Sequence, residues 1–208
     1  MTLAAGSLVA VHGVSGSGKT TLLNLMAGLD VPSSGSVLVG GTDVGALTED
    51  QRSRLRLTRV GVVFQEHHLI DEFTAVENVM LPLEVAGAKA SEARVEALAA
   101  LERMGLHGLA ARYPCQLSGG QRQRVGICRA LVGGRQVLLA DEPTGALDSR
   151  NSLALLEILR GLSDQGAIVV VATHDPMVTS FADVVLTMSD GALTVGEPQA
   201  RVPLRAPL

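Results

Sequence analysis

The chain has 208 residues and a mass of 21.6 kDa; 47% of its residues are hydrophobic, yet only 2% are aromatic. A formal net charge of -4 and a pI near 5.7 exclude the basic footprint of an electrostatic nucleic-acid binder and a polybasic membrane anchor. Mean hydropathy is +0.31, but no apolar run approaches the roughly 18 residues of a spanning helix. The two cysteines, Cys115 and Cys128, are too few for a disulfide framework. The start, Met1 to Gly6, lacks the positive region of a signal peptide. The expectation is a soluble intracellular domain with a core of Leu, Val, Ala and Ile.

In chain order, Leu8–His12 reads as a strand buried on both faces, a continuous apolar run without alternation. A glycine-rich turn and a helix over Thr20–Ala27 follow. Further strands are expected at Ser36–Val39, Val60–Phe64, Val137–Ala140, Ala167–Ala172 and Asp183–Met188. Asp190-Gly191 marks a tight hairpin turn into Leu193-Thr194-Val195. Helical spacing places Val95, Leu98, Leu101 and Met104 together over Glu92–Met104, stopped by Gly105, and gathers Leu155, Leu156, Leu159 and Leu162 over Ser152–Leu162. Short apolar runs alternating with helices predict an α/β fold with a mostly parallel sheet. Residues 66–133 show helical periodicity and no buried strand, so they are expected to form a helical insertion into a core of residues 1–65 and 134–197. Proline-rich residues 198–208 read as a tail.

Three stretches carry chemistry. Gly13-Val14-Ser15-Gly16-Ser17-Gly18-Lys19-Thr20 fits G-x-x-x-x-G-K-[ST] between a strand and a helix. Glycines free backbone N–H groups to surround a phosphate at the positive end of a helix. Lys19 then reaches the β and γ phosphates and the Thr20 hydroxyl reaches Mg²⁺; Thr21 completes this nucleotide-binding set. Val137 to Glu142 is an apolar strand ending in two carboxylates, assigning Asp141 to the Mg²⁺ shell and Glu142 to proton abstraction from an attacking water. Leu117-Ser118-Gly119-Gly120-Gln121 opens another helix with Ser118 as N-cap, a second anion-binding terminus that a single triphosphate in one chain has no use for. Read alone, Gln65 is a solvated loop residue, His174 caps a turn, and Asp148 caps the helix that follows it.

Taken together these stretches resemble the ATP-binding-cassette (ABC) family. Leu117–Gln121 is similar to its signature motif, Gln65 after Val62-Val63-Phe64 to its Q-loop, Gly145-Ala146-Leu147-Asp148 to its D-loop, and His174 to its switch histidine. Phe64 to Leu69, Val76 to Leu83 and Asp141 to Asp148 resemble the branch of lipoprotein-releasing, macrolide-efflux and cell-division ATPases. The resemblance implies a P-loop NTPase core, ATP and Mg²⁺ as ligands, and two copies, or one copy and a homologous cassette, sandwiching two nucleotides head to tail. Ser118, Gly119, Gly120 and Gln121 of one copy would cap the γ-phosphate held by Lys19 of the other. Gln65 would sense Mg²⁺ and the attacking water, His174 would steady the γ-phosphate, and Asp148 would cross the interface.

It also implies a membrane permease partner, docked in part on the apolar stretch Leu69–Leu81, and a location at the inner face of the cell membrane. Family members carry an adenine-stacking aromatic upstream of the phosphate loop; the first aromatic here is Phe64, so either the start is truncated or base selectivity is loose. Cys128 stands where alanine is usual, a neutral change. The rival readings are a soluble or regulatory ABC ATPase and, from another class, a small-molecule kinase using the same phosphate loop.

Overall fold

The computed structural model describes residues 1–64, 68–145 and 147–196. Its elements run β1 (Leu8–His12), α1 (Lys19–Ala27), β2 (Leu38–Val39), β3 (Thr42–Asp43), α2 (Glu49–Thr58), β4 (Val60–Val63), α3 (Ala75–Val85), α4 (Ala90–Arg103), α5 (Gly119–Leu131), β5 (Val137–Asp141), α6 (Ser149–Asp164), β6 (Ile168–Thr173), α7 (Pro176–Phe181), β7 (Val184–Ser189) and β8 (Ala192–Val195). Six strands make one sheet in the order β4-β5-β6-β1-β7-β8, parallel except for the β7–β8 hairpin. β1 sits between β6 and β7, with Leu8 opposite Val169 and Val9 opposite Val184.

Both faces of the sheet are covered over β1, β4, β5 and β6, which is why those strands show no alternation, whereas β7 alternates buried Leu186 and Met188 with exposed Thr187 and Ser189. Leu8 and Ala10 join a core with residues of α3 to α7, such as Val79, Leu101, Ile127, Leu156 and Val178. Val9 and Val11 turn the other way, against Leu23 of α1 and Leu55 of α2. The α5 helix lies so close to β4 that a Cβ on Gly61 would meet the Ala130 carbonyl oxygen at 1.9 Å. Between residues 68 and 133 the described elements are helical or irregular, with no strand.

Most expected elements stand within a residue or two. Helix α4 ends at a left-handed Gly105, where Leu106 N–H donates to Leu101 O and Gly105 N–H to Glu102 O, so the glycine closes the last turn. Asp190 and Gly191 have φ of 48° and 78°, as a two-residue hairpin turn between twisted strands requires. Two expectations fail. On α4, Val95 is 70% and Leu98 38% exposed, and the helix buries Ala93, Ala97, Ala100 and Leu101 instead, so an alanine stripe forms its packed face. Ser36–Val39 contributes only Leu38–Val39, paired antiparallel with β3 in a separate two-stranded sheet. Leu38 there is 64% exposed, so its apolar side chains do not enter the main sheet. The tail expected at 198–208 lies outside the described residues.

Two local features tie distant segments. Asn78, fully buried on α3, accepts the Ile70 N–H at 2.8 Å and donates to the carbonyls of Ile70, Phe73 and Thr74. Arg160, buried on α6, bonds Asp164 at 2.8 Å and Asp183 at 2.9 Å, and the same Asp183 oxygen accepts the Leu8 N–H. The cysteines separate by burial: Cys115 is exposed, while burial pushes the Cys128 thiol up to about 12. A thiol reagent at pH 8 is expected to modify Cys115 alone, with Cys128 reacting only after unfolding; mass spectrometry of the native and denatured chain reads the difference.

Candidate functional site

Parallel strands end together, and open α/β sheets bind ligands at that carboxyl edge. Here β1, β5 and β6 deliver Gly13, Asp141 with Glu142, and His174 to it. The Gly13 N–H donates to the Thr173 carbonyl at 3.3 Å, and a Cβ on Gly13 would meet the Met188 carbonyl oxygen at 2.4 Å, so only glycine fits. Gly16 and Gly18 serve conformation instead, with φ of 79° and 108°. The Gly191 N–H of the β7–β8 turn donates to the Ser17 carbonyl at 3.0 Å and backs the loop from behind. Among the described residues no side chain caps the start of α1, so its first N–H groups lack a side-chain acceptor, and the buried Ser17 hydroxyl has no partner. Ser15, Gly16, Thr20 and Thr21 are exposed. This is an anion cradle built from backbone donors.

Charged groups converge on it. Lys19 is 7% exposed, its Nζ 2.8 Å from the Gly13 carbonyl oxygen, 3.1 Å from that of Val14, and 3.5 Å from Glu142 Oε1. Thr20 Oγ1 donates to Asp141 Oδ2 at 2.7 Å. His174 Nδ1 lies 3.0 Å from Glu142 Oε1; a carboxylate only accepts, so that nitrogen carries the hydrogen. Glu142 Oε2 is buried with no hydrogen-bond partner. The Glu142 backbone sits at φ 46°, a left-handed position that costs a non-glycine residue on the order of 1–3 kcal/mol unless its surroundings hold it.

The hydroxyl of Thr20 and the carboxylate of Asp141 make a hard-oxygen pair of the kind that holds Mg²⁺ together with substrate phosphates. Among the described residues no cluster of three or more His, Cys, Asp or Glu could hold a metal by itself. That fits a cation whose remaining ligands come from phosphate oxygens and water.

The other candidates lie apart. Ser118 caps α5, accepting the Gln121 N–H at 3.3 Å while Gln121 Oε1 accepts the Ser118 N–H at 2.9 Å. Gly119 faces open space, and Gly120 adjoins Leu147 and Asn151. Asp148 caps α6 through the Asn151 N–H at 2.8 Å, its plainer reading. Among the described residues no hydrogen bond joins Ser118–Gln121 or Asp148 to the loop at 13–20. Gln65 lies outside the described residues. Sequence reasoning passed over Thr144 and Asp175, whose side chains link the segments carrying Glu142 and His174; Asp175-Pro176, a cap residue followed by proline at a helix start, was the available signal.

Among the described residues no helix is long and apolar enough to cross a membrane. Residues 1–145 match the family described as ABC transporter. The macrolide export ATP-binding/permease protein MacB of Burkholderia pseudomallei is 46% identical over 193 residues, 93% of this chain and 30% of that protein. MacB of Salmonella typhimurium is 45% identical over 194 residues with the same coverage, so the chain spans about 30% of the length of these curated relatives. Among solved structures, the post-hydrolysis dimer of the ATP-binding cassette MJ0796 bound to ADP and Pi is similar at TM-score 0.85 and 37% identity, covering 94% of this chain and 88% of that one.

Proposed function

The chain belongs to the ABC transporter family, and from that premise we propose that it binds and hydrolyses ATP as the motor of a membrane transporter. The observation that carries this reading is the meeting of Lys19, Thr20, Asp141, Glu142 and His174 around an uncapped helix start. Lys19 exchanges its loop carbonyls for the β and γ phosphates, as backbone donors of residues 16–20 surround them. Thr20 and Asp141 hold Mg²⁺, which when bound neutralises charge on the phosphate oxygens. Glu142 Oε1 is occupied by His174 and Lys19, so Oε2 is the oxygen that accepts the proton of the attacking water. His174 steadies the terminal phosphate beside it. Gln65 contributes to the metal and water shell.

The hydrogen-bonding of Ser118–Gln121 within its own helix, apart from the loop at 13–20, supports a site completed by a second copy. Ser118 to Gln121 of that copy then cap the terminal phosphate, and Asp148 adjoins them across the interface. The kinase reading leaves this stretch unused.

The relatives are ATP-binding/permease proteins, and a permease is the partner proposed here, placing the cassette at the inner face of the membrane. Its seat is a cavity of about 420 Å³ lined by Leu29, Arg56, Leu57, Phe64, Leu81 and Val85. Of the stretch Leu69–Leu81, only Leu81 reaches it; Val76, Val79 and Met80 are buried in the core.

The shared site is tested by mixing. Lys19→Ala and Ser118→Arg are each expected to be inactive, yet their equal mixture forms hybrids with one intact site. Regained Mg²⁺-dependent ATP hydrolysis supports the reading. So does a mixture of wild type with excess Ser118→Arg that falls below additive activity, the outcome when two sites fire only together. No recovery in the first mixture together with strict additivity in the second overturns it.

A further inference from the structure

Glu142 and His174 come from different strands, yet the left-handed backbone of Glu142 and the 69% exposed side chain of His174 must keep a 3.0 Å contact. Two backbone bonds hold Glu142: its N–H donates to the Ala172 carbonyl at 2.9 Å, and its carbonyl accepts the Gly145 N–H at 3.1 Å. Among the described residues, the His174 side chain bonds Glu142 alone. Its position is therefore set by its neighbours in the chain. Thr173 Oγ1 accepts the Asp175 N–H at 3.0 Å, and Asp175 Oδ1 accepts the Met177 N–H at 2.8 Å, pinning the turn to the start of α7. The other Asp175 oxygen accepts the hydroxyl of Thr144, which is 4% exposed, at 3.4 Å.

Two side-chain links thus run side by side between the segment leaving β5 and the turn leaving β6: Glu142 to His174, and Thr144 to Asp175. We infer that Thr144 and Asp175 are positioning residues for hydrolysis, a strap that fixes where His174 stands relative to Glu142. The inference rests on the ATP-hydrolysis reading above and deepens it. Among the described residues no hydrogen bond joins either residue to the loop that cradles phosphate, so the strap is assigned to the chemical step and not to nucleotide capture.

The test is steady-state ATP hydrolysis with a double-mutant cycle. Thr144→Val keeps the side-chain shape and removes the hydroxyl. It is expected to lower kcat roughly 10-fold, inside the 10²-fold that a misplacement of about 1 Å can cost, with KM for ATP held within about twofold. Thr144→Ser, which keeps the donor, is expected to restore most of the loss. In a His174→Ala background, Thr144→Val is expected to change kcat by less than about twofold, because the group it positions is gone. If Thr144→Val is poorly folded, Thr144→Ala enters the same cycle. Multiplying losses in the double variant, or a rise in KM with kcat unchanged, overturns the strap. Absence of hydrolysis by the wild-type chain with its partner copy would instead strike the functional reading itself.

Discussion

Replacing Glu142 by Gln is expected to leave ATP binding intact while lowering hydrolysis by roughly 10²–10⁴-fold, the usual worth of a positioned general base. The substitution keeps the side chain's volume and one oxygen, so the contact with His174 Nδ1 survives. What disappears is the proton acceptor at Oε2, buried and without a partner in the resting chain. The Lys19 ammonium also loses the carboxylate 3.5 Å away, but retains the carbonyls of Gly13 and Val14 and, when nucleotide is present, the phosphates. Binding of a fluorescent ATP analogue and phosphate release measured on one preparation separate the two effects. Equal turnover in the variant and the wild type would remove Glu142 from the role of base.

Arg160→Met is expected to do the reverse, costing about 3 kcal/mol of stability while leaving the site's chemistry alone. Removing one partner of a buried ion pair costs roughly 3–5 kcal/mol. The lower end applies because Asp164 is open to water and Asp183 keeps the Leu8 N–H. For a chain of this size about 3 kcal/mol lowers Tm by roughly 6–12 °C. Thermal unfolding followed by circular dichroism measures it, and a shift under about 2 °C would show that Arg160 does not hold α6 against the β1–β7 pairing.

The two substitutions also mark what a reader of the sequence could see. Glu142 ends an apolar run downstream of a phosphate-loop pattern, so its place at the carboxyl edge follows from strand direction. β1 was legible to the residue because a strand buried on both faces needs uninterrupted apolar side chains and Gly13 stops it. Helix α2 left no such trace: of Glu49–Thr58 only Leu55 is buried, and the hydrophobic period it would need is absent. Its capping box, Thr48 with Gln51, was the readable signal. Leu38–Val39 misled for the opposite reason, since β-branched and apolar residues in a short exposed hairpin resemble a core strand.

At the proposed site, Lys19, Thr20 and Asp141 could be singled out by pattern, because phosphate and metal chemistry call for set residue types at set spacing, and the structure brings them to one edge of the sheet. Thr144 and Asp175 were not, because a 3.4 Å bond between residues far apart in the chain has no local period. Asp148 carried two readings in the sequence, and the helix cap is the one visible in a single chain.

The strand that feeds the phosphate loop has both of its neighbours, β6 and β7, in the last third of the chain. The loop itself is propped by the Gly191 N–H. During synthesis, therefore, β1 and the loop after it lack their sheet partners until β6 and β7 have been made. A nascent fragment halted before Gly191 carries the full glycine-rich motif yet lacks the backbone N–H that props it.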